Sequence, residues 1–348
     1  MEPLVSILIP AYNTQEFIAE TLQSAAAQTW KRTEIIVVND GSTDRTAEIA
    51  RSFASKAVKV VTTENRGLSA AQNEAFRHSQ GDYIQWLDSD DLLAPDKIER
   101  QLAALRDSGS KRTMLSSPWA PFYYRSRGAR FVQNAVWCDL SPVEFLLRTM
   151  GGNLHMQNAT WLVSRELTEA AGPWRESLQY DQDGEYFTRV LVASEGTRFV
   201  EGTGIYYRSR ASQLSHIGFS NKKRESLLVS MKLHIQYLRS LEESERVRKV
   251  CLAYLQNWFG HFYPDRPDLA EELQILAAQL GGHLVPPRLP WKYAWMKPIL
   301  GDGARRAQTT LPQLKGSCLR QWDQIRFRTE AMLQRATAAR LPKIFGAR

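Results

Sequence analysis

Two patterns of apolar residues alternate along the N-terminal third of the chain. Short continuous apolar runs are typical of strands buried on both faces, and apolar residues every three or four positions are typical of helices. The runs predict strands at 4–9, 34–40, 58–62 and 82–87, and the spaced segments predict helices at 16–30, 43–54, 68–78 and 95–106. Strands that alternate with helices of this length indicate a mostly parallel sheet with right-handed crossovers.

The alternation weakens after about residue 110. There the pattern predicts a hairpin within 123–136, a helix at 183–193, and further strands at 113–117, 159–163, 198–201 and 205–208. From residue 222 onward the pattern is helical, and it predicts segments at 222–241, 244–260, 268–280 and 320–338. Prolines break the chain between the last of these segments.

Composition indicates a globular protein made in a reducing compartment. The chain has 348 residues and only three cysteines, Cys138, Cys251 and Cys318, which form no CxxC motif. Neither a disulfide framework nor a zinc site is indicated. The N-terminus lacks the features of a secretory signal, and no apolar run approaches the ~18 residues that span a bilayer. We therefore expect the protein to be cytoplasmic.

The positive charge is concentrated in the C-terminal tail. Residues 286–348 contain 13 Lys and Arg against 3 acidic residues, a net charge of +10, whereas the rest of the chain has 32 basic against 34 acidic residues. The tail also carries aromatic residues beside its lysines and arginines, a combination that suits a membrane interface. Because the same residues suit a helical bundle or a dimer contact equally well, peripheral membrane contact and oligomer formation both stay open. No nucleic-acid-binding motif is present.

Polar residues follow the predicted strands at the places where a doubly wound sheet binds ligands. The sequences are PAYN at 10–13, NDGSTD at 39–44 and DSDD at 88–91. The chain has no GxGxxG after the first strand and no GxxxxGK[ST]. This argues against a dinucleotide oxidoreductase and a P-loop NTPase.

Without a glycine-rich cradle, a bound diphosphate needs another source of positive charge. Asp88, Asp90 and Asp91 follow a strand, and alternating residues of an extended segment would direct Asp88 and Asp90 to one site. Carboxylates suit Mg2+ or Mn2+, which share their coordination with substrate phosphates. The alternative is a solvated turn in which one aspartate caps the next helix.

Four motifs in this order resemble family 2 of the inverting glycosyltransferases. They are ILIPAYN, VVNDGSTD, NRGLSAAQN and WLDSDD, and the resemblance covers about residues 3–210. It implies an α/β fold of the GT-A type, with a doubly wound, mostly parallel sheet and an α-helical C-terminal region. The implied domains are a catalytic domain at 1–220, with a nucleotide-binding half at 1–110 and an acceptor-binding half at 111–220, and a helical region with a basic tail at 221–348.

The resemblance also assigns residues to the donor site. It implies nucleotide-sugar contacts for Pro10, Ala11, Tyr12, Asp40, Asn65, Gly67, Asn73, Asp88 and Ser89, and metal ligation for Asp90. The chemistry agrees, because an ionised Asp40 can accept the N3–H of uracil and Tyr12 offers a ring face for stacking. Three alternatives remain: Tyr12 as a core aromatic, Asp40 as a turn residue and Asn73 as a helix-packing side chain.

Inverting transfer needs one carboxylate as the base for the acceptor hydroxyl. In the family an arginine follows this base by six residues, and Asp183 stands six residues before Arg189. Gln182 replaces the glutamate that often precedes the base. Asp181 and Glu185 are rival candidates, and all three acids also suit the N-terminus of a helix.

These observations predict a metal-dependent inverting glycosyltransferase. We expect a nucleotide-sugar donor, with UDP favoured, Mn2+ or Mg2+ as cofactor, and a glycan or lipid-linked glycan as acceptor. His216 and His155 are weaker candidates for the site. The rival functions are a nucleotidyltransferase, whose basic glycine-rich loop is missing after the first strand, and a catalytically inactive sugar-binding scaffold.

Overall fold

The computed structural model describes residues 2–108, 110–209, 220–287, 317–327 and 329, and the observations below concern these residues. The strands are β1 (Val5–Ala11), β2 (Thr33–Asp40), β3 (Val58–Thr63), β4 (Tyr83–Trp86), β5 (Leu92–Leu93), β6 (Thr113–Ser116), β7 (Trp119–Phe122), β8 (Val163–Ser164), β9 (Gly196–Phe199) and β10 (Ile205–Arg208). The helices are α1 (Ile18–Ala26), α2 (Thr46–Ser52), α3 (Leu68–Arg77), α4 (Lys97–Ser108), α5 (Pro142–Gly152), α6 (Arg165–Ala171), α7 (Gln182–Ala193), α8 (Asn221–Leu241), α9 (Glu245–Trp258) and α10 (Pro267–Gln279).

A five-stranded sheet in the order β3-β2-β1-β4-β8 forms the centre of the fold. The first four strands are parallel, and β8 is antiparallel to β4. The chain runs from β1 outward to β2 and β3 and then returns to β4 on the other side of β1. Ligands bind beyond the carboxyl ends of the strands at such a reversal of strand order. The predicted parallel sheet is confirmed, and the polar ends of β1, β2 and β4 lie side by side.

The remaining strands form two smaller sheets, one in the order β5-β10-β7 and the other made of β6 and β9. β5 follows directly after the acidic residues 88–91 and pairs antiparallel with β10 through Leu92 and Tyr206. A backbone hydrogen bond from Ala94 N to Gly204 O extends this contact. The segment after β4 is therefore held at both of its ends.

The largest apolar cluster joins the sheet to the C-terminal helices. It contains Trp86 of β4 and Tyr186 of α7 together with Met231 of α8, Leu255 of α9 and Leu273 of α10. Accordingly, residues 1–120, 131–207 and 212–286 form one compact unit. The domain boundary expected near residue 220 does not separate α8, α9 and α10 from the sheet, because their apolar faces complete the same core.

A second compact unit comprises residues 121–130, 208–211 and 287–348. Its described C-terminal part, residues 317–327 and 329, is helical. Within this unit, Asp323 accepts hydrogen bonds from the backbone N–H of Tyr124 at 2.9 Å and from Arg125 Nε at 2.7 Å. Residues 288–316 and most of the predicted helix beyond 329 lie outside the described residues.

Several elements differ from the prediction. The strand expected at 159–163 is wrong, because a 3-10 turn (Asn158–Thr160) precedes the two-residue β8. The hairpin expected within 123–136 is wrong: β7 ends at Phe122, and 126–128 form a 3-10 turn. Helices α5 and α6 were not predicted, although each begins with a serine cap, since Ser141 accepts from Glu144 N and Ser164 accepts from Leu167 N. These caps are local signals that the apolar pattern does not contain. Among the described residues, no helix combines the length and apolarity needed to cross a membrane.

Candidate active site

The ends of β1 and β2 are joined by side-chain hydrogen bonds. Pro10 and Ala11 are the last buried residues of β1. Beyond them, Asn13 Oδ1 accepts the Thr43 N–H at 2.9 Å, and Asn13 N–H donates to Ser42 Oγ at 3.1 Å. Tyr12 lies between buried Ala11 and hydrogen-bonded Asn13, and its side chain is 46% exposed. The alternative of a core aromatic is therefore wrong, and the ring face of Tyr12 is open to a ligand.

Asp40, at the end of β2, holds the loop that leads into α3. Its two carboxylate oxygens accept the backbone N–H groups of Arg66 and Gly67, each at 2.9 Å. Gly67 has a φ of 91°, a conformation that glycine adopts readily and that other residues disfavour. Asn65 is exposed on the same loop. In the structure, Asp40 therefore holds this loop. Its contact with the nucleotide base, through the lone pairs that remain, stays a prediction.

Asn73 fastens α3 to the segment that precedes α7. Its amide oxygen accepts the Trp174 N–H at 2.8 Å, and its amide nitrogen donates to Trp174 O at 3.0 Å and to Glu176 at 3.1 Å. Arg66 forms a 3.0 Å ion pair with the same Glu176. Asn73 therefore makes the helix-packing contacts that were the alternative interpretation of this residue. A contact between Asn73 and the nucleotide sugar stays a prediction.

Residues 88–91, called the acidic turn below, follow β4. Asp91 N–H donates to Asp88 O at 3.1 Å, so the segment is a turn. The sequence argument that Asp88 and Asp90 point the same way assumed an extended strand, and that assumption is wrong. Ser89, Asp90 and Asp91 are buried. Two side-chain amides meet the turn: Asn158 Nδ2 donates to Asp88 at 3.0 Å, and Gln157 Nε2 donates to Asp91 at 3.1 Å.

The carboxylates of this site affect one another. Burial and then the charge of Asp90 raise the pKa of Asp88 to about 6, the charge of Asp183 adds to this, and the Asn158 hydrogen bond opposes it. Burial raises the pKa of Tyr207 as well, and the charges that reinforce the shift are those of Asp91, Asp88, Asp90 and Asp183. The acid near the start of α7 is thus brought to the acidic turn from a distant part of the sequence.

Asp183 differs from its two rivals in what surrounds it. It lies in the first turn of α7, and within the described residues its carboxylate accepts no hydrogen bond. Glu185 is fully buried and accepts hydrogen bonds from Arg175 at 2.8 Å and from Arg189 at 2.7 Å. Burial raises the pKa of Glu185, but these bonds outweigh it and the pKa is lowered. Glu185 is therefore committed to an ion-pair network.

Asp181, the residue directly before α7, also has partners for its carboxylate. Its carboxylate accepts a hydrogen bond from Ser230 Oγ at 2.7 Å, and His234 Nδ1 lies 3.8 Å from the same oxygen. Burial raises the pKa of Asp181, His234 opposes this, and the charge of Asp183 reinforces it. Of the three acids, Asp183 alone keeps its carboxylate oxygens available to a substrate.

The donor set of the acidic turn fits a hard divalent cation. Among the described residues no group of three or more His, Cys, Asp or Glu is arranged to hold a metal. Mg2+ and Mn2+ do not need one, since they complete their shell with other oxygens, waters and substrate phosphates. Asn158 is 4% exposed, and its Oδ1 has no hydrogen-bond partner. An unpartnered carbonyl oxygen beside mutually repelling carboxylates is an arrangement that a cation would stabilise.

Sequence reasoning missed Gln157 and Asn158, because two consecutive amides before a strand have no distinctive spacing. His155 is also close to the site: its ring packs edge-on against Trp119 at 6.0 Å, and its charge acts on Asp181. Trp119 in turn packs against Tyr207 at 5.9 Å. His216 lies outside the described residues.

Residues 6–130 match the model of the family described as Glycosyl transferase family 2. An uncharacterized glycosyltransferase of Rickettsia typhi is 34% identical over 192 residues, which cover 55% of this chain and 60% of that protein. Two further relatives, from Rickettsia felis and Rickettsia conorii, are each covered to 41% of their length. The chain thus spans less than two thirds of the length of each of these relatives.

Two solved structures are similar over most of the chain. S. aureus TarS 1-349 in complex with UDP-GlcNAc has a TM-score of 0.63 and 17% identity, and the match covers 80% of this chain and 81% of that one. Mannosyltransferase PcManGT from Pyrobaculum calidifontis, in complex with GDP-Man and Mn2+, has a TM-score of 0.52 and 19% identity, covering 88% and 81%. The similarity confirms the GT-A fold.

Proposed function

We propose that the chain is an inverting glycosyltransferase, because residues 6–130 match the model of glycosyl transferase family 2. It transfers a sugar from a nucleoside diphosphate to an acceptor hydroxyl. The observation that carries the proposal is the buried acidic turn after β4, which lies beside the polar ends of β1 and β2, where the strand order reverses. The charge of Asp183 contributes to the raised pKa of Asp88, and this agrees with a base near the turn. A base on one side and a diphosphate site on the other are what a single displacement at the anomeric carbon needs.

Each part of the site has a role in this reaction. Tyr12 stacks on the base, and the loop held by Asp40 borders the ribose and diphosphate, where Asn65 and Gly67 are exposed or near the surface. Asp90 and Asp88, with the free Oδ1 of Asn158, would hold Mn2+ or Mg2+, which supplies positive charge for the leaving diphosphate. Asp183 takes the proton of the acceptor hydroxyl as the new bond forms, and the nucleoside diphosphate leaves from the opposite face of the sugar.

UDP is the favoured nucleotide. The buried carboxylate of Asp40 accepts from the N–H groups of Arg66 and Gly67 and, at 3.5 Å, from the hydroxyl of Thr63, so it keeps an unused lone pair to which uracil can donate. The neighbour with UDP-GlcNAc supports this choice, whereas the one with GDP-Man supports only the wider class of nucleotide sugars. We propose a glycan or lipid-linked glycan as the acceptor.

A donor-hydrolysis assay tests the proposal without knowledge of the acceptor, because water can replace the acceptor hydroxyl. Release of UDP or GDP would be measured from UDP-GlcNAc, UDP-glucose, UDP-galactose and GDP-mannose, with Mn2+ and with EDTA. We expect metal-dependent release from at least one UDP-sugar. No release from any of them, together with no UDP binding by calorimetry, would contradict the proposed function.

We also propose a place at the inner face of the cell membrane. The described part of the tail exposes Leu319, Trp322 and Ile325 beside Arg320 and Arg326. Apolar rings and chains next to arginines suit an anionic lipid surface. An enzyme that extends lipid-linked glycans works beside such a surface.

A further inference from the structure

Helix α8 holds the chain segment that carries Asp183. The segment, residues 179–185 and called the base segment below, includes the residues just before α7 and its first turn. Along α8, three polar side chains at positions 226, 230 and 237 contact it, and they recur at helical spacing. Residues three and four apart lie on one face of a helix. One face of α8 therefore meets the base segment with hydroxyl groups.

Ser226 uses its complete hydrogen-bonding capacity on this segment. Its Oγ accepts the backbone N–H groups of Gln179 and Tyr180, both at 3.0 Å, and its hydroxyl donates to Tyr180 O at 2.9 Å. A serine hydroxyl has one donor and two acceptor sites, so no further group is needed. Alanine at this position would leave two N–H groups and a carbonyl without their partner.

Ser230 and Tyr237 bind the acids on either side of Asp183. Ser230 Oγ donates to Asp181 at 2.7 Å, and Tyr237 OH donates to Glu185 at 2.9 Å. Asp181 has a φ of 61°, a left-handed conformation that is uncommon outside glycine. A Cβ on Gly184 would collide with the Asp181 carboxylate, which shows how closely this turn is packed. Asp183 is thus placed between two acids that α8 fixes.

From these contacts we infer that Ser226 and Ser230 are positioning residues for the base Asp183, and that α8 is part of the active-site scaffold. The inference rests on the proposed function. It gives the C-terminal helices a role that lies outside the matched residues 6–130. Without the two hydroxyls the base segment loses the partners that define its path, and a displacement of ~1 Å at a catalytic group can cost about 100-fold in rate.

The test compares the full chain with Ser226→Ala, Ser230→Ala and the double variant. We expect the kcat for UDP-sugar hydrolysis to fall about 10- to 100-fold, with the KM for the donor and the Kd for UDP unchanged. Ser240→Ala is the matched control, because that serine lies on the same helix and donates only to Tyr237 O of its own helix. An equal loss in the control would overturn the inference.

A double-mutant comparison separates positioning from a merely structural role. In an Asp183→Asn background the Ser226→Ala and Ser230→Ala changes should lower the residual kcat no further, since residues that act as a unit are not additive. A further loss of the same size as in the wild type would show that the serines act on something other than the base.

Hydrogen exchange of a peptide covering 179–185 provides a readout that is independent of activity and of the proposed function. Exchange in this peptide should become faster in the double variant and stay unchanged in peptides from β1 and β2. Unchanged exchange would overturn the inference even if the enzyme is active. If exchange rises but the wild type hydrolyses no donor, the proposed function fails while the contact of α8 with the segment stands. Should the double variant fail to fold, Tyr237→Phe gives the same comparison.

Discussion

Asn158 donates a 3.0 Å hydrogen bond to the carboxylate of Asp88, and the two residues come from segments 70 positions apart. The donor end of the amide faces the carboxylate, since its oxygen would be repelled there. The oxygen is therefore left buried and without a partner. The hydrogen bond thus fixes the orientation of the Asn158 amide, with its free oxygen near Asp88, whose pKa is raised. Two predictions depend on this arrangement.

The first prediction concerns stability and pH. Burial and the neighbouring charges raise the pKa of Asp88 from 3.8 to about 6. A raised carboxyl pKa means that the folded chain gains stability from this group at low pH and loses it as the pH rises through about 6. Asp88→Asn should therefore stabilise the metal-free protein at pH 7.5 by ~1–3 kcal/mol, with a smaller gain at pH 5.

Urea denaturation in EDTA at both pH values measures this difference. Glu271→Gln is a suitable control, because Glu271 is exposed on α10 and belongs to none of the segments that form the site. A gain for Asp88→Asn that is as large at pH 5 as at pH 7.5 would show that the charge of Asp88 is not the cause.

The second prediction concerns the free oxygen of Asn158. Asn158→Leu keeps the approximate volume and removes both the oxygen and the hydrogen bond to Asp88, and we expect it to weaken Mn2+ binding in the presence of UDP about 10-fold or more. Asn158→Asp supplies a charged oxygen instead and should bind Mn2+ at least as tightly as the wild type. Electron paramagnetic resonance of free Mn2+ measures both affinities directly.

Gln157→Leu is the matched control for this experiment. It removes the neighbouring amide, which donates to Asp91 at 3.1 Å and whose own oxygen is already occupied by the Ala159 N–H at 2.9 Å. If Gln157→Leu weakens Mn2+ binding as much as Asn158→Leu does, then the integrity of the turn matters and the oxygen of Asn158 is not a ligand.

The sequence predicted the sheet and the location of the site because both depend on local patterns. The apolar runs of β1 and β2 and the polar residues after them are readable without any partner, and strand parallelism follows from the intervening helices. Asp183 was reached through the family resemblance, which implies a base six residues before an arginine, here Arg189. In the structure Arg189 pairs with Glu185 and binds Pro173 O, so the spacing reflects how α7 is anchored.

Contacts between distant segments could not be predicted in this way. Ser226 and Ser230 are small polar residues of a helix, and their partners lie 46 to 49 positions earlier. Asn73 illustrates the same limit, because its motif suggested a ligand contact while its partner is the backbone of Trp174. Such contacts depend on how α3, α7 and α8 pack in three dimensions, and the residue pattern of a single segment carries no information about that packing.

The third prediction is that Asp90→Asn abolishes metal-dependent UDP binding. The amide keeps the shape of the side chain and removes the charge that holds the cation, so the affinity for UDP with Mn2+ should fall at least about 100-fold. Binding without metal should be unaffected. Calorimetry of UDP with Mn2+ and with EDTA provides the comparison, and an unchanged affinity with Mn2+ would rule out Asp90 as a ligand.

The fourth prediction separates the base from the donor site. Asp183→Asn should leave the Kd for UDP unchanged and lower the turnover about 100- to 10,000-fold, the range that a positioned base contributes. Glu185→Gln should instead lower the midpoint of thermal unfolding, because Arg175 and Arg189 would lose their buried partner. Near-normal turnover of Asp183→Asn on the true acceptor would place the base elsewhere, and Asp181→Asn would be the next variant to measure.

The fifth prediction concerns the basic tail. Full-length protein should co-sediment with vesicles that contain anionic lipid at low salt, and the amount bound should fall as salt increases, because screening weakens the attraction of the arginines. A chain that ends at residue 285 should stay in the supernatant. Removal of the tail also removes Asp323, which binds Arg125, so truncation alone does not separate lipid contact from a change in the protein.

A double substitution in the full chain makes that separation. Trp322 and Ile325 are 62% and 59% exposed, so Trp322→Ser with Ile325→Ser removes apolar surface and leaves Asp323 and the net charge of the tail in place. We expect this variant to bind anionic vesicles at least about 10-fold more weakly than the wild type, since each buried CH2 group contributes ~0.8 kcal/mol at a membrane. If the variant and the wild type sediment equally while the truncated chain does not, the arginines act without insertion of the helix. Equal sedimentation of all three proteins would exclude the tail from membrane contact.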